Sequence, residues 1–190
     1  MNILVFYGSV RTERQGIKAA KYMVKKLAER GHQVDLIDPL EYKLPLLDWM
    51  YKEYEPGKAP EPMEKLADKI RNADGFIIVS GEYNHSIPPA LTNMMDHFLE
   101  EYFFRPSGIV CYSAGRFAGV RAAMQLRAFL SEMGMPTISS LLPFGGVQDA
   151  FDDEGNPLMD YIDPEASRFL DEFEWYLKAL KTQRKHGTPF

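Results

Sequence analysis

The hydrophobic residues of this chain form short apolar runs that are separated by longer stretches with helical spacing. The runs are rich in β-branched and aromatic residues and are bounded by glycine, proline or polar residues. Such runs are typical of strands covered on both faces, as in a parallel sheet. The predicted strands span residues 2–7, 34–37, 75–80 and 109–112, and a fifth lies within 137–144.

Helical patterns alternate with these runs. In the first, Ile17, Ala20, Val24 and Leu27 share one face. Further patterns cover residues 61–73, the stretch after Pro88, residues 120–133 and about 164–185. Regular alternation of strand and helix produces a parallel sheet with right-handed crossovers. We therefore predict a single α/β domain over residues 1–190, a flavodoxin-like doubly wound five-stranded parallel sheet in the order 2-1-3-4-5, with helices on both faces.

Polar loops follow strands 1, 3 and 4, which this order makes neighbours. We call residues 8–16 loop one, residues 81–88 loop two and residues 113–119 loop three. An open α/β sheet binds its ligand in the crevice at the carboxyl ends of its strands. We therefore expect the three loops to meet at one crevice.

The segment of residues 40–60 has no clear period and carries Trp49, Tyr51 and Tyr54. A loop this long in a compact domain is usually functional. We interpret it as a wall of the substrate pocket or part of a dimer contact, and an aromatic-anchored surface loop is the alternative.

Composition excludes several classes of function. The net charge of −5 comes with no basic stripe, which argues against a nucleic-acid partner. No apolar run approaches the length of a membrane span, and the amino terminus lacks the features of a signal peptide, so we expect a cytoplasmic protein. The single cysteine, Cys111, lies in a predicted strand, which favours a buried, inert thiol.

Loop one is predicted to bind phosphate. Its backbone N–H groups lie at a helix N-terminus, which favours an anion, and Arg11 and Arg14 offer charge-assisted contacts. The candidate residues are Ser9, Arg11, Arg14, Gln15 and Gly16. Solvated arginines in an ordinary helix-start loop are the alternative.

Two other phosphate motifs do not match. No P-loop string occurs, and the second glycine of a Rossmann fingerprint is missing. Asp38, at the end of strand 2, keeps a ribose-binding Rossmann site open as a minor alternative.

Loops two and three are predicted to meet a flat ligand. Backbone amides of Glu82, Tyr83, Asn84 and His85 can satisfy its polar edge, and Tyr83 offers an aromatic surface. A capped turn, with Ser86 as N-cap of the next helix, is the alternative. Loop three contributes Ser113, Gly115 and Arg116, of which Arg116 is a candidate contact for an anion or for the ring edge.

The string Glu82-Tyr83-Asn84-His85-Ser86-Ile87-Pro88 closely resembles the flavin-facing loop of the NAD(P)H-dependent FMN reductases. That family is flavodoxin-like and includes chromate, azo and quinone reductases. The resemblance covers roughly residues 2–144. It departs at Gly81, where the family usually has proline, and at Ala118, which replaces a common glycine.

The resemblance implies an enzyme with bound FMN and with NADPH or NADH as co-substrate. Its implied acceptor is a small molecule: a quinone, an azo compound, a metal oxyanion or free flavin. We assign no catalytic side chain and no metal ligand, because the cofactor carries the chemistry. A flavodoxin-type electron carrier with a protein partner and a non-flavin Rossmann-type module are the alternatives.

The resemblance also implies a homodimer or a dimer of dimers. We expect the interface to use the helix after loop two and the aromatic segment around Trp49 and Tyr51. The stretch that follows loop two is more apolar than one helix needs for its own core, which is typical of an interface. Its apolar residues are Met94, Met95, Phe98, Tyr102, Phe103 and Phe104.

Overall fold

A computed structural model describes all residues, 1–190, and contains one sheet of five parallel strands. The strand order β2-β1-β3-β4-β5 confirms the predicted flavodoxin-like topology. The strands are β1 Asn2–Tyr7, β2 Gln33–Ile37, β3 Gly75–Ser80, β4 Ser107–Ser113 and β5 Thr137–Gly145.

Helices cover both faces of the sheet. They are α1 Ile17–Glu29, α2 Pro39–Tyr42, α3 Glu61–Asn72, α4 Pro89–Asp96, α5 Val120–Glu132, α6 Val147–Ala150 and α7 Ile162–Arg184. One core joins α1 and α7 to alternate residues of the central strands, such as Val5 and Val79. The other core joins α3, α4 and α5 to the intervening residues, such as Phe6 and Ile78. No helix has both the length and the apolar character that crossing a membrane requires.

The chain after α4 differs from the sequence interpretation. The helix ends at Asp96, and a 3₁₀ turn over Glu100–Tyr102 carries the chain back onto the core. Because of this return, four apolar residues expected at an interface are buried within the domain: Met94, Met95, Phe98 and Tyr102. Their apolar character is therefore explained by the core and is not an argument for a dimer.

The segment between β2 and α3 contains α2 and a 3₁₀ turn over Tyr51–Glu53. Tyr51 packs against Phe98, with ring centroids 5.7 Å apart, and its hydroxyl donates to Glu64. Trp49 contacts Tyr54 but is 53% exposed. The segment is thus anchored by Tyr51 and leaves Trp49 on the surface.

Candidate functional site

The three loops meet at the carboxyl edge of the sheet because β1, β3 and β4 are neighbours there. A hydrogen bond of 3.0 Å joins the hydroxyls of Ser9 and Tyr83, so loops one and two touch directly. Between the loops lies a cleft of about 300 Å³. It is lined by Ser9, Arg11, Thr12, Glu13, Arg14, Gln15, Gly16, Tyr83, Tyr112, Ala114 and Val147.

Loop one presents unpaired hydrogen-bond donors. The backbone N–H groups of Thr12, Glu13, Gln15 and Gly16 have no acceptor within the chain. The Arg11 amide donates to the Ser9 hydroxyl over 3.3 Å, and the exposed Arg11 guanidinium makes no ion pair. Donors that converge just before a helix form a natural anion site.

Arg14 has a different role from Arg11. Its guanidinium donates to Asp38 and, over 2.8 Å, to the carbonyl of Ser9, and it lies 5.1 Å from the ring centroid of Tyr7. Burial alone would lower the pKa of Arg14, but the hydrogen bonds and charge of Asp38 raise it. Arg14 therefore fixes the backbone of loop one and is not the solvated charge of the alternative interpretation.

The same contacts account for Asp38. The residue is buried, accepts from Arg14, and caps α2 through the Leu40 amide at 3.0 Å. Its carboxylate is committed to these donors, which removes the feature that kept a ribose-binding Rossmann site open.

Loop two contains a tight turn centred on Asn84 and His85. Tyr83 and Ser86 exchange both backbone hydrogen bonds, at 3.1 and 2.9 Å. Asn84 and His85 have φ values of 52° and 62°, the left-handed pair of a type I′ turn. The N–H groups of Glu82, Asn84 and His85 have no acceptor within the chain, whereas that of Tyr83 is used by the turn.

Helix α5 holds loop two from behind. The Glu82 carboxylate accepts the amides of Arg121 and Ala122, at 3.0 and 3.2 Å, and so caps α5. Gln125 donates to the His85 carbonyl and accepts from the Ser86 hydroxyl, both at 2.7 Å. Ser86 is therefore not the N-cap of α4, as the alternative interpretation had it.

Loop three begins with Ser113, whose hydroxyl donates to the Gly115 carbonyl over 2.8 Å. The amides of Ala114, Gly115 and Arg116 have no acceptor within the chain. Ala118 takes a left-handed φ of 53°, which explains why glycine suits this position.

Tyr112 is a residue of the site that sequence reasoning missed. The ring of Tyr112 occupies the space that a side chain on Gly16 would need, since a Cβ atom on Gly16 would lie only 1.9 Å from the ring. The same ring packs on Gly81. Its hydroxyl donates to the Tyr7 hydroxyl over 3.3 Å. Burial raises the pKa of both tyrosines, so both hydroxyls stay protonated near neutral pH. The sequence signal that could have identified Tyr112 was its position at the end of predicted strand 4, which matches that of Tyr7 at the end of strand 1.

Cys111, next to Tyr112, is fully buried, and burial raises the pKa of its thiol to about 12. The prediction of a buried, inert thiol is confirmed, since the thiolate is the reactive form.

Comparison with known proteins places the chain in a family. The family model described as NADPH-dependent FMN reductase matches residues 1–149. A quinone reductase of Pseudomonas putida is 28% identical over 183 residues, which cover 93% of this chain and 95% of the relative. An NAD(P)H-dependent FMN reductase of Schizosaccharomyces pombe is 32% identical over 151 residues, which cover 73% and 72% of the two chains.

Among solved structures, the flavoenzyme NAD(P)H:(acceptor) oxidoreductase FerB of Paracoccus denitrificans has the same fold. The match has a TM-score of 0.69 and 23% identity, and it covers 95% of this chain and 97% of the other. The family indicated by the Glu82–Pro88 string is thus confirmed, together with the expected oxidoreductase class and FMN as cofactor. The chain belongs to the NADPH-dependent FMN reductase family.

Proposed function

We propose that the protein uses the cleft between its three loops to bind FMN, takes reducing equivalents from NADPH or NADH, and passes them to a small electrophile in a ping-pong cycle. The acceptors are quinones, azo compounds, metal oxyanions or free flavin. One observation carries the proposal: loop one lines the cleft with unpaired backbone donors, and the adjoining turn of loop two, which reaches the cleft through Tyr83, offers three more.

The phosphate of FMN fits loop one. A phosphomonoester carries roughly −1.5 to −2 charge near neutral pH. The free amides around Thr12 and Gly16 and the uncommitted guanidinium of Arg11 supply donors of the right charge. Arg14, paired with Asp38, contributes by holding the carbonyl of Ser9 in place.

The flat ring fits the rim formed by loops two and three. A flavin edge carries carbonyl and nitrogen acceptors, and the free amides of Glu82, Asn84 and His85 match them. Loop three lines the cleft through Ala114, and we assign its neighbours Ser113, Gly115 and Arg116 to the ring edge, where glycine allows a close backbone contact. When bound, FMN supplies the hydride chemistry, and the protein supplies orientation and electrostatics.

The side chains around the cleft are assigned no proton transfer, and the proton that accompanies hydride transfer to a quinone is taken from solvent. Tyr7 and Tyr112 remain neutral, and the Tyr112 ring fills the space between Gly16 and Gly81. Tyr83 bridges to Ser9 and so keeps the phosphate end and the ring end at a fixed separation.

Two measurements test the proposal. The purified protein is expected to show flavin absorption bands, and the cofactor released by heat should run as FMN on chromatography. Stopped-flow mixing with NADPH should bleach the bands, and a quinone should restore them. A protein reduced by dithionite but not by NADPH or NADH would instead be a flavodoxin-type carrier, and FAD in the heat extract would refute the cofactor assignment.

We also infer a homodimer, or a dimer of dimers, from fewer apolar surface residues than the sequence suggested. Leu46 is 85% exposed and Trp49 53% exposed, and both lie in the segment beside α4. Asn93 of α4 holds this segment through Leu47 and Pro45, at 2.9 and 2.7 Å, so the apolar surface is ordered. Ordered, exposed apolar side chains favour an interface.

Sedimentation tests the dimer, with Leu46→Glu as the disrupting variant. Because Leu46 is outside the core, this variant should remain folded but sediment as a monomer. A wild-type protein that is monomeric at micromolar concentration and still turns over would contradict the inference.

A further inference from the structure

Loop three carries a cationic and aromatic cluster that the binding of FMN does not use fully. Phe117 is 50% exposed. The guanidinium carbons of Arg116 and Arg121 lie 4.8 and 4.6 Å from its ring centroid. We call these three residues the loop-three platform. Cation–π contacts of this kind hold an arginine close to a ring while its N–H groups remain available.

The charges of the platform are largely uncommitted. Arg116 makes no ion pair, and Arg121 has only Glu82 nearby, with the closest guanidinium nitrogen 3.6 Å from its carboxylate. That carboxylate already accepts two backbone amides of α5. Of the other cations near the crevice, Arg14 pairs with Asp38 and Lys18 pairs with Asp153, whereas Arg11 is unpaired and is assigned to the FMN phosphate in the proposed function.

FMN carries one phosphate, which loop one and Arg11 satisfy in the proposed function. The dinucleotide substrate brings further anions and a second aromatic group, its adenine. Arginine binds phosphate through charge-assisted, often bidentate hydrogen bonds, and an exposed ring is a stacking surface for a base. The loop-three platform combines two arginines with an exposed ring, so the ligand that suits it is both aromatic and phosphorylated.

We propose that the loop-three platform binds the adenosine 2′-phosphate end of NADPH, and so selects NADPH over NADH. Phe117 stacks on the adenine, and Arg116 and Arg121 pair with the 2′-phosphate. The proposal rests on the proposed function and deepens it, because it names the co-substrate and the residues that recognise it.

The test uses FMN-saturated protein and two nucleotides that differ only in the 2′-phosphate, 2′,5′-ADP and 5′-AMP. Calorimetry should give wild-type protein at least a tenfold tighter dissociation constant for 2′,5′-ADP. Arg116→Ala and Arg121→Ala should each lose about tenfold in 2′,5′-ADP affinity, the scale of one charged contact. Their 5′-AMP affinity should change by less than twofold, and Phe117→Leu should weaken both nucleotides.

Arg71→Ala is the matched control. Its guanidinium carbon also lies over a ring, 4.8 Å from the centroid of Tyr51, but α3 ends there at the amino edge of the sheet. This variant should bind both nucleotides like wild type.

The results separate the two proposals. Equal wild-type affinity for the two nucleotides, or a preference that survives in both arginine variants, would overturn the platform assignment. So would an equal loss of both nucleotides in the arginine variants, which would indicate contact with a phosphate that NADH shares. Failure of NADPH and NADH alike to bleach the flavin would refute the proposed function itself.

Discussion

The left-handed turn of loop two makes Asn84→Pro the most informative substitution. Proline fixes φ near −65° and has no N–H, whereas Asn84 has φ of 52° and an unpaired amide. Leaving a buried ring acceptor without its donor costs about 1–3 kcal/mol. At about 1.4 kcal/mol per factor of ten, this loss alone weakens FMN binding roughly 5- to 150-fold. Loss of the turn adds to it.

The assay is a titration of apoprotein with FMN, followed by the quenching of flavin fluorescence. Asn84→Gly is the matched control, because glycine keeps the N–H and adopts a left-handed φ without strain. We expect its affinity to stay within about threefold of wild type, since only the amide donor is claimed to matter. Circular dichroism should show that both variants retain the fold.

Tyr83→Phe separates the backbone from the side chain. It removes the 3.0 Å bond to Ser9, a neutral hydrogen bond worth about 0.5–1.5 kcal/mol, and leaves the turn intact. FMN should remain bound. If Asn84→Pro binds FMN like wild type, or Asn84→Gly or Tyr83→Phe loses more affinity than Asn84→Pro, the backbone account of loop two is wrong.

Three further predictions concern charged residues. Arg11→Ala should weaken FMN binding by about 1.5–3 kcal/mol in the same titration, and loss of NADPH affinity alone would reassign the residue. Glu82→Ala should lower the free energy of unfolding, measured in urea, by about 0.5–2 kcal/mol, which is the scale of a lost N-cap. Glu82→Gln keeps a hydrogen-bond acceptor and should lose less. Equal losses in the two variants would contradict the role of Glu82 as a cap of α5. Asp74 is buried and bonds Lys181 at 2.7 Å; burial would raise its pKa, but that bond and the neighbouring cations lower it. The stabilising contribution of the Asp74 carboxylate is therefore full above about pH 4 and is lost as pH falls through the lowered pKa. The Asp74→Asn variant should have a lower free energy of unfolding at pH 7, and this free energy should fall less steeply with acid than that of wild type. Parallel pH dependences of the two proteins would refute this.

Much of the fold could be predicted because its three central strands are buried on both faces. Runs such as Gly75–Ser80 are largely apolar and are buried throughout, and their alternation with helical patterns leaves few topologies. The position of the three loops follows from that order. The same logic failed for Met94 and Phe98, because periodicity does not show that α4 stops at Asp96 and that the chain folds back.

The partners of individual side chains could not be predicted. Arg14 and Asp38 are 24 positions apart, and nothing in the sequence shows that their side chains point toward one another. Tyr112 occupies the space left by Gly16, a relation across β4 and loop one that only packing reveals. In loop two, asparagine and histidine both favour left-handed positions more than most residues do, but this preference alone does not show that Asn84 and His85 adopt it together.

The geometry of loop two is held by the protein itself, before any ligand is present. A left-handed conformation costs a non-glycine residue about 1–2 kcal/mol, so Asn84 and His85 together cost up to about 4 kcal/mol. Four hydrogen bonds from Glu82 and Gln125 fasten the loop to α5, and at about 0.5–1.5 kcal/mol each they offset a cost of that size. These bonds and the Tyr83–Ser86 pair hold the turn without help from a ligand, so we expect FMN to bind a loop that is already formed. Because the same Glu82 carboxylate lies beside Arg121, loop two, which we propose meets the flavin edge, and the loop-three platform share one anchor on α5.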